Sequence, residues 1–246
     1  MSAPVIPPAN APSNPTRIVL LPQPPVSSLS PIPGADRPGG TSYSPAARRS
    51  FGGESEVLAV DVSVLGVPFN GIGTPPEAEN PAQAVRDAGL VARLATRGHH
   101  VTDLGDLPIP AFSGRRDPAT GVLNQAAWRQ VTEHLAVTLR GRLDSSHPII
   151  LLGGDCAIMT GVAAAVQLGD RPLGILYVDG HADCRMPADS PSGEPADLVL
   201  TALTGRIRGL FGDLVREPLV RDGDLLVFGF READRIAESG IATFDR

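Results

Sequence analysis

Residues 148–184, PIILLGGDCAIMTGVAAAVQLGDRPLGILYVDGHADC, decide the fold. The run PIILL at 148–152 is apolar with no helical period and predicts a strand. GGDC at 153–156 predicts a turn, AIMTGVAAAVQL at 157–168 a helix, and GILYV at 174–178 a second strand. A strand–helix–strand unit of this length accommodates a right-handed crossover that sets its two strands parallel. In parallel α/β sheets, sites form beyond the carboxyl ends of the strands, and both GGDC and DGHADC fall there.

The same alternation extends outward. VLAVDVSVLGV at 57–67 predicts a buried strand, and 68–80 a Gly/Pro loop. Residues 81–97 predict a helix, with Pro81 in its first turn and Gly98 just past its end. A short strand is expected at 99–107. A helix is expected at 122–142, with Leu123, Ala126, Ala127, Val131, Leu135 and Leu139 on one side, and a later strand at 224–230. Strands alternating with helices predict an α/β domain whose parallel sheet is covered on both faces.

Composition narrows the function. The 246 residues carry 21 basic and 27 acidic side chains, a formal net charge of -6, and a sequence pI near 5.3. Such a balance argues against a nucleic-acid binder that relies on phosphate attraction. Every basic residue is Arg, which removes Schiff-base lysine chemistry and the lysine of a phosphate-binding P-loop. Two cysteines make no disulfide scaffold, no apolar run approaches a membrane span, and no export signal is present, so a cytoplasmic protein is expected. Twelve of the 25 prolines lie in residues 1–50. Residues 1–52 are therefore expected to be a Pro/Ser-rich disordered tail and 53–246 the folded domain, with RIVLL at 17–21 able to pack as an extra strand.

The chemistry concentrates in Asp179-Gly180-His181-Ala182-Asp183. In an extended chain alternate residues share a face, so Asp179, His181 and Asp183 are expected to project together, a ligand set for a divalent ion. The alternative is that Asp179 caps a helix and His181 sits in a loop. In GGDC, Asp155 is expected to cap the following helix, and Cys156 to face the crevice of Asp179, either as a ligand or as an inert buried thiol. Cys184 is read as packing. His99, His100, His134 and His147 are read as structural or solvated. The absence of a G-x-S-x-G elbow leaves a serine hydrolase poorly supported.

LGVPFNGIG, ENPAQAVRDAGLVARLATRGHHVTDLGDL, ILLGGDCAIMTGV and GILYVDGHADCRMP, taken in order, resemble the blocks of the ureohydrolase superfamily of arginases, agmatinases and formiminoglutamases, and LLVFGFREADRIAESGIATFDR resembles its segment before a second metal motif. The resemblance covers about residues 57–246. It implies a three-layer α/β/α fold with a mainly parallel sheet, here lacking C-terminal strands. It also implies a metal-dependent hydrolase that cuts a linear C–N bond of a guanidino, formimino or related small molecule through a metal-activated water. By the same resemblance Asp179, His181, Asp183 and Cys156 are metal ligands, Ser192 and Arg185 are substrate-binding, the ion is Mn2+, and the protein is a homo-oligomer. The chain departs from the pattern at four points. Cys156 replaces a His, which suits Zn2+ or Fe2+ better than manganese. SGEPAD replaces SGNxHG, and Arg185 replaces an Asn. The second carboxylate pair is missing, because Asp222 and Asp224 precede their strand. These departures keep open a catalytically impaired or non-enzymatic family member.

Overall fold

The computed structural model describes residues 16–20 (backbone only), 59–73, 80–143, 147–232, 234 and 237. The remainder of the proline-rich segment, loop positions 74–79, and most of the segment resembling the end of the family pattern lie outside the described residues.

Two three-stranded parallel sheets form the frame. In the first, β2 (Asp61–Val67) lies between β3 (His100–Asp106) and β4 (Ile149–Gly153). In the second, β5 (Leu173–Val178) lies between β1 (Thr16–Leu20) and β6 (Leu225–Phe228). The expected extra strand therefore exists as β1, in register from Thr16 opposite Leu173 to Leu20 opposite Tyr177. β4 and β5, the two strands of the deciding segment, fall in separate sheets, so the expected crossover within one sheet is not formed.

The helix expected over 81–97 is two helices, α1 (Pro81–Asp87) and α2 (Leu90–Thr96). The break falls at Gly89, whose φ of 87° lies in the left-handed region. Asn80 caps α1 by accepting from the Gln83 N–H, with Pro81 at the first helical position. Arg86 then ties α1 to the carboxyl end of β3, pairing with Asp103 at 2.9 Å and Asp106 at 2.5 Å.

The helix expected over 122–142 is α3 (Gln125–Leu139). Its buried face runs through Ala127, Trp128, Val131, Thr132, Leu135, Ala136 and Leu139; Ala126, expected inside, is exposed. This face packs on α4 (Met159–Leu168), which is apolar all round and buried from Met159 through Val166. A short 3-10 turn, Cys156–Ile158, joins β4 to α4, and α5 (Val199–Leu203) closes the same core.

Candidate metal centre

The site grows from three strand ends. After β2 the chain turns at Phe69, which is fully buried, and the Gly71 N–H donates to Asp155 Oδ2 at 2.5 Å. After β4, Gly154 passes so close to this turn that a Cβ there would lie 1.8 Å from the Phe69 carbonyl oxygen. Only glycine fits this contact. Asp155 caps the 3-10 turn by accepting from the Ala157 N–H at 3.0 Å, as the sequence predicts. Its carboxylate is thus spent on two backbone donors, which leaves the next residue, Cys156, to face the crevice.

After β5, the chain does not continue extended. Asp179 Oδ1 accepts the His181 N–H at 2.9 Å, closing a local turn, and Asp183 has a φ of 42°. This geometry breaks the period of two on which the shared face of Asp179, His181 and Asp183 was expected. Asp179 and Asp183 turn inward with Cys156, and one ligand atom from each lies within 4.8 Å of the others. The Cys156 thiol donates to Asp179 Oδ2 at 3.5 Å. The His181 side chain is 65% exposed, with Nδ1 3.8 Å from Asp179 Oδ1, and stands outside the cluster. Three of the four expected ligands are therefore brought together. Cys184 is buried in the core, in keeping with a packing role.

Sequence reasoning missed Tyr177. It is buried, and its hydroxyl donates to Asp183 Oδ2 and meets the Cys156 thiol. The signal was present: residue 177 shares the strand face of residue 179. Glu194 was given no role either. It is half-buried, accepts from Ser192 Oγ at 3.2 Å, and its charge reaches Asp155.

The electrostatics follow from burial. Burial pushes the Asp155 carboxyl up to about 7, against the opposing pull of its two backbone donors. Burial lifts Asp183 to about 6; the Tyr177 hydroxyl pulls it down and the Asp179 charge pushes it up. Burial, followed by the Asp183 charge, drives the Cys156 thiol far above its usual range, and burial also raises Tyr177. Converging acids in a poorly solvated crevice disfavour their own ionisation, a cost that a bound cation removes.

The two expected substrate residues lie in the adjoining loop. Ser192 Oγ accepts the Glu194 N–H at 3.2 Å and donates to the same residue's carboxylate. Arg185 is folded back into the loop, donating to the Asp189 carbonyl at 3.2 Å and lying 3.9 Å from Asp197. The Arg116 guanidinium pins the loop through the Ser190 and Pro191 carbonyls at 3.0 and 2.6 Å. Asp222 and Asp224 stand before β6, paired with Arg206 at 2.9 Å and Arg221 at 2.6 Å, away from the carboxyl ends of the strands.

Fold and site together define a parallel α/β protein with a thiol–carboxylate crevice at its strand ends. Residues 60–244 match the family described as "Arginase family", and the chain belongs to it. It is 28% identical over 177 residues to arginase-1 of Xenopus laevis, covering 70% of this chain and 56% of that protein. It is 27% identical over 168 residues to an arginase of Staphylococcus aureus, covering 65% and 55%. Among solved structures it resembles an arginase from Bacillus caldovelox, with a TM-score of 0.64, 25% identity, and coverage of 75% of this chain and 64% of that one. An arginase from Bacillus cereus aligns with a TM-score of 0.62, 28% identity, and coverage of 75% and 63%. The chain spans a little over half the length of the curated relatives it matches. Among the described residues, no helix is long and apolar enough to cross a membrane.

Proposed function

We propose that this protein is a metal-dependent hydrolase that cuts a linear C–N bond in a guanidino, formimino or related small molecule. The observation that carries the reading is the convergence of Cys156, Asp179 and Asp183 at the strand ends of an arginase-family chain. The Cys156–Asp179 donor pair fits a divalent ion. Two ligands on one ion can stand no further apart than the sum of their bonds, about 4.3 Å for a thiolate and an oxygen, and Sγ and Asp179 Oδ2 are 3.5 Å apart. Cys156, Asp179 and Asp183 are the residues that would hold it, with His181 at the rim. Family resemblance implies Mn2+, whereas the thiol points to Zn2+ or Fe2+. A bound ion supplies an acidified water and polarises the scissile carbon.

The protein's own groups do the rest. The Tyr177 hydroxyl fixes the Asp183 carboxylate, the Gly71 and Ala157 N–H groups hold Asp155, and the Ser192–Glu194 pair borders the crevice, where a cationic substrate group meets a half-buried carboxylate. Arg185 serves the substrate only if the loop releases it. The same reading has the protein cytoplasmic and homo-oligomeric, with the continuous part of the folded domain beginning near residue 53 and β1 added to it from the proline-rich segment. Native mass measurement checks the assembly.

The test is urea, ammonia or formamide release from a panel of guanidino and formimino compounds with Mn2+, Zn2+ or Fe2+ supplied. Turnover is expected, and Asp183→Asn should lower it by at least about a hundredfold, the scale of losing an electrostatic contribution to the transition state. A second reading, a binding protein without turnover, is favoured by the outward His181 and by the Arg pairing of Asp222 and Asp224. Silence across the panel with every ion supports that reading.

A further inference from the structure

We propose that the centre is a single-ion, thiolate-bearing site selective for a thiophilic divalent cation such as Zn2+ over Mn2+, with Tyr177 as its positioning residue. The inference rests on the metal-binding half of the function proposed above, and not on its substrate. Three features carry it. First, the cluster consists of one sulfur and two carboxylates, with ligand atoms within 4.8 Å of one another. A thiolate selects zinc-class ions, whereas carboxylates alone suit manganese or magnesium. Second, three protein donors that leave a position open match the pattern of catalytic rather than structural zinc. Third, the His181 imidazole is turned to solvent, and the Asp222 and Asp224 carboxylates are paired with arginines before β6, so no further carboxylate or imidazole joins the cluster among the described residues.

Tyr177 adds what is particular to this chain. It is 2% exposed, and its hydroxyl donates to Asp183 while touching Cys156. It therefore sets the orientation of one carboxylate ligand and lies against the sulfur, as the outer partners of metal ligands do. Because it reaches the ion only through Cys156 and Asp183, its removal should change affinity and ligand field without unfolding the chain.

The experiment is metal binding by the full chain, read by calorimetry with Zn2+ and Mn2+ and by the absorption of the Co2+ form. One Zn2+ per chain is expected, bound more tightly than Mn2+, with the gap between the two ions narrowing in Cys156→Ser. The Co2+ form should show a near-ultraviolet thiolate-to-metal band that disappears in Cys156→Ser and persists in Cys184→Ser. Tyr177→Phe should weaken Zn2+ by about 10–100-fold and shift the visible Co2+ bands, with an unchanged far-ultraviolet circular dichroism spectrum. Two ions per chain, Mn2+ bound more tightly than Zn2+, or a thiolate band that survives Cys156→Ser would overturn the proposal. A chain that binds one Zn2+ through Cys156 but turns over no substrate leaves this inference standing and contradicts the proposed activity. Turnover with Mn2+ that is unaffected by Cys156→Ser does the reverse.

Discussion

Gly154 is the residue on which the centre's geometry turns. A methyl group there would sit 1.8 Å from the Phe69 carbonyl oxygen and 2.7 Å from the Phe69 nitrogen, and both are backbone atoms that no rotamer change can move. Gly154→Ala is expected to cost about 3 kcal/mol, the upper range of overpacking, and to weaken metal binding by pulling Asp155 away from Gly71. Urea denaturation checks the first effect and calorimetry the second; an alanine variant as stable as the parent contradicts this account. The Arg206–Asp222 pair gives a pH-dependent case. Its two bonds of 2.9 Å hold the Asp222 carboxyl below the usual carboxylate range. A depressed folded-state pKa contributes stability above the unfolded value and loses it as pH falls through the folded one. Because Asp222 is 43% exposed, Asp222→Asn should remove no more than about 1 kcal/mol at neutral pH. In urea melts the gap should close in acid; a gap independent of pH would show that the pairing is not its source.

Elements differ in how far they can be read from sequence. The strand ends after β4 and β5 were legible, because an apolar run followed by Gly-Gly-Asp or Asp-Gly-His stops being a strand wherever it sits. The inward turn of Cys156 was legible for a related reason: Asp155 is taken up by the cap. The fate of His181 was not. Whether 179–183 stays extended depends on the Asp179 turn and the left-handed Asp183, and an alternating pattern cannot report either. The α1–α2 break was foreshadowed by Gly89, but a single glycine inside a helical period is compatible with one helix or two. Packing of α3 on α4 rests on Trp128, fully buried, whose Nε1 donates to the Ala157 carbonyl and to Thr160 Oγ1, both at 3.1 Å. Because Ala157 follows Cys156, this bond also steadies the ligand turn. Trp128→Phe is expected to cost about 2–3 kcal/mol through a vacated space and lost buried hydrogen bonds, measured by chemical denaturation. A loss below the scatter of replicate melts would show that the tryptophan does not anchor the turn.

At the scale of the molecule, two parallel sheets, with six strands among the described residues, bring the ends of β2, β4 and β5 to one crevice. The α/β class and the order of elements were legible because β2, β4, β5 and β6 each carry an apolar run. The division into two sheets was not, since pairing partners are chosen by long-range contacts that local patterns do not record. β1 is the clearest case: it pairs with β5 across more than 150 residues of sequence. Deleting residues 1–20 should speed amide exchange over Leu173–Val178 while leaving β2 protected, and unchanged exchange in β5 would exclude a pairing role for β1.

The central claim, that Cys156 joins Asp179 and Asp183 around one divalent ion, is tested most directly by zinc K-edge X-ray absorption of the full chain loaded with one equivalent of Zn2+. The account predicts one sulfur neighbour at about 2.3 Å among oxygen neighbours near 2.0 Å, with the sulfur lost in Cys156→Ser. A shell of oxygen and nitrogen alone in the parent protein would contradict it.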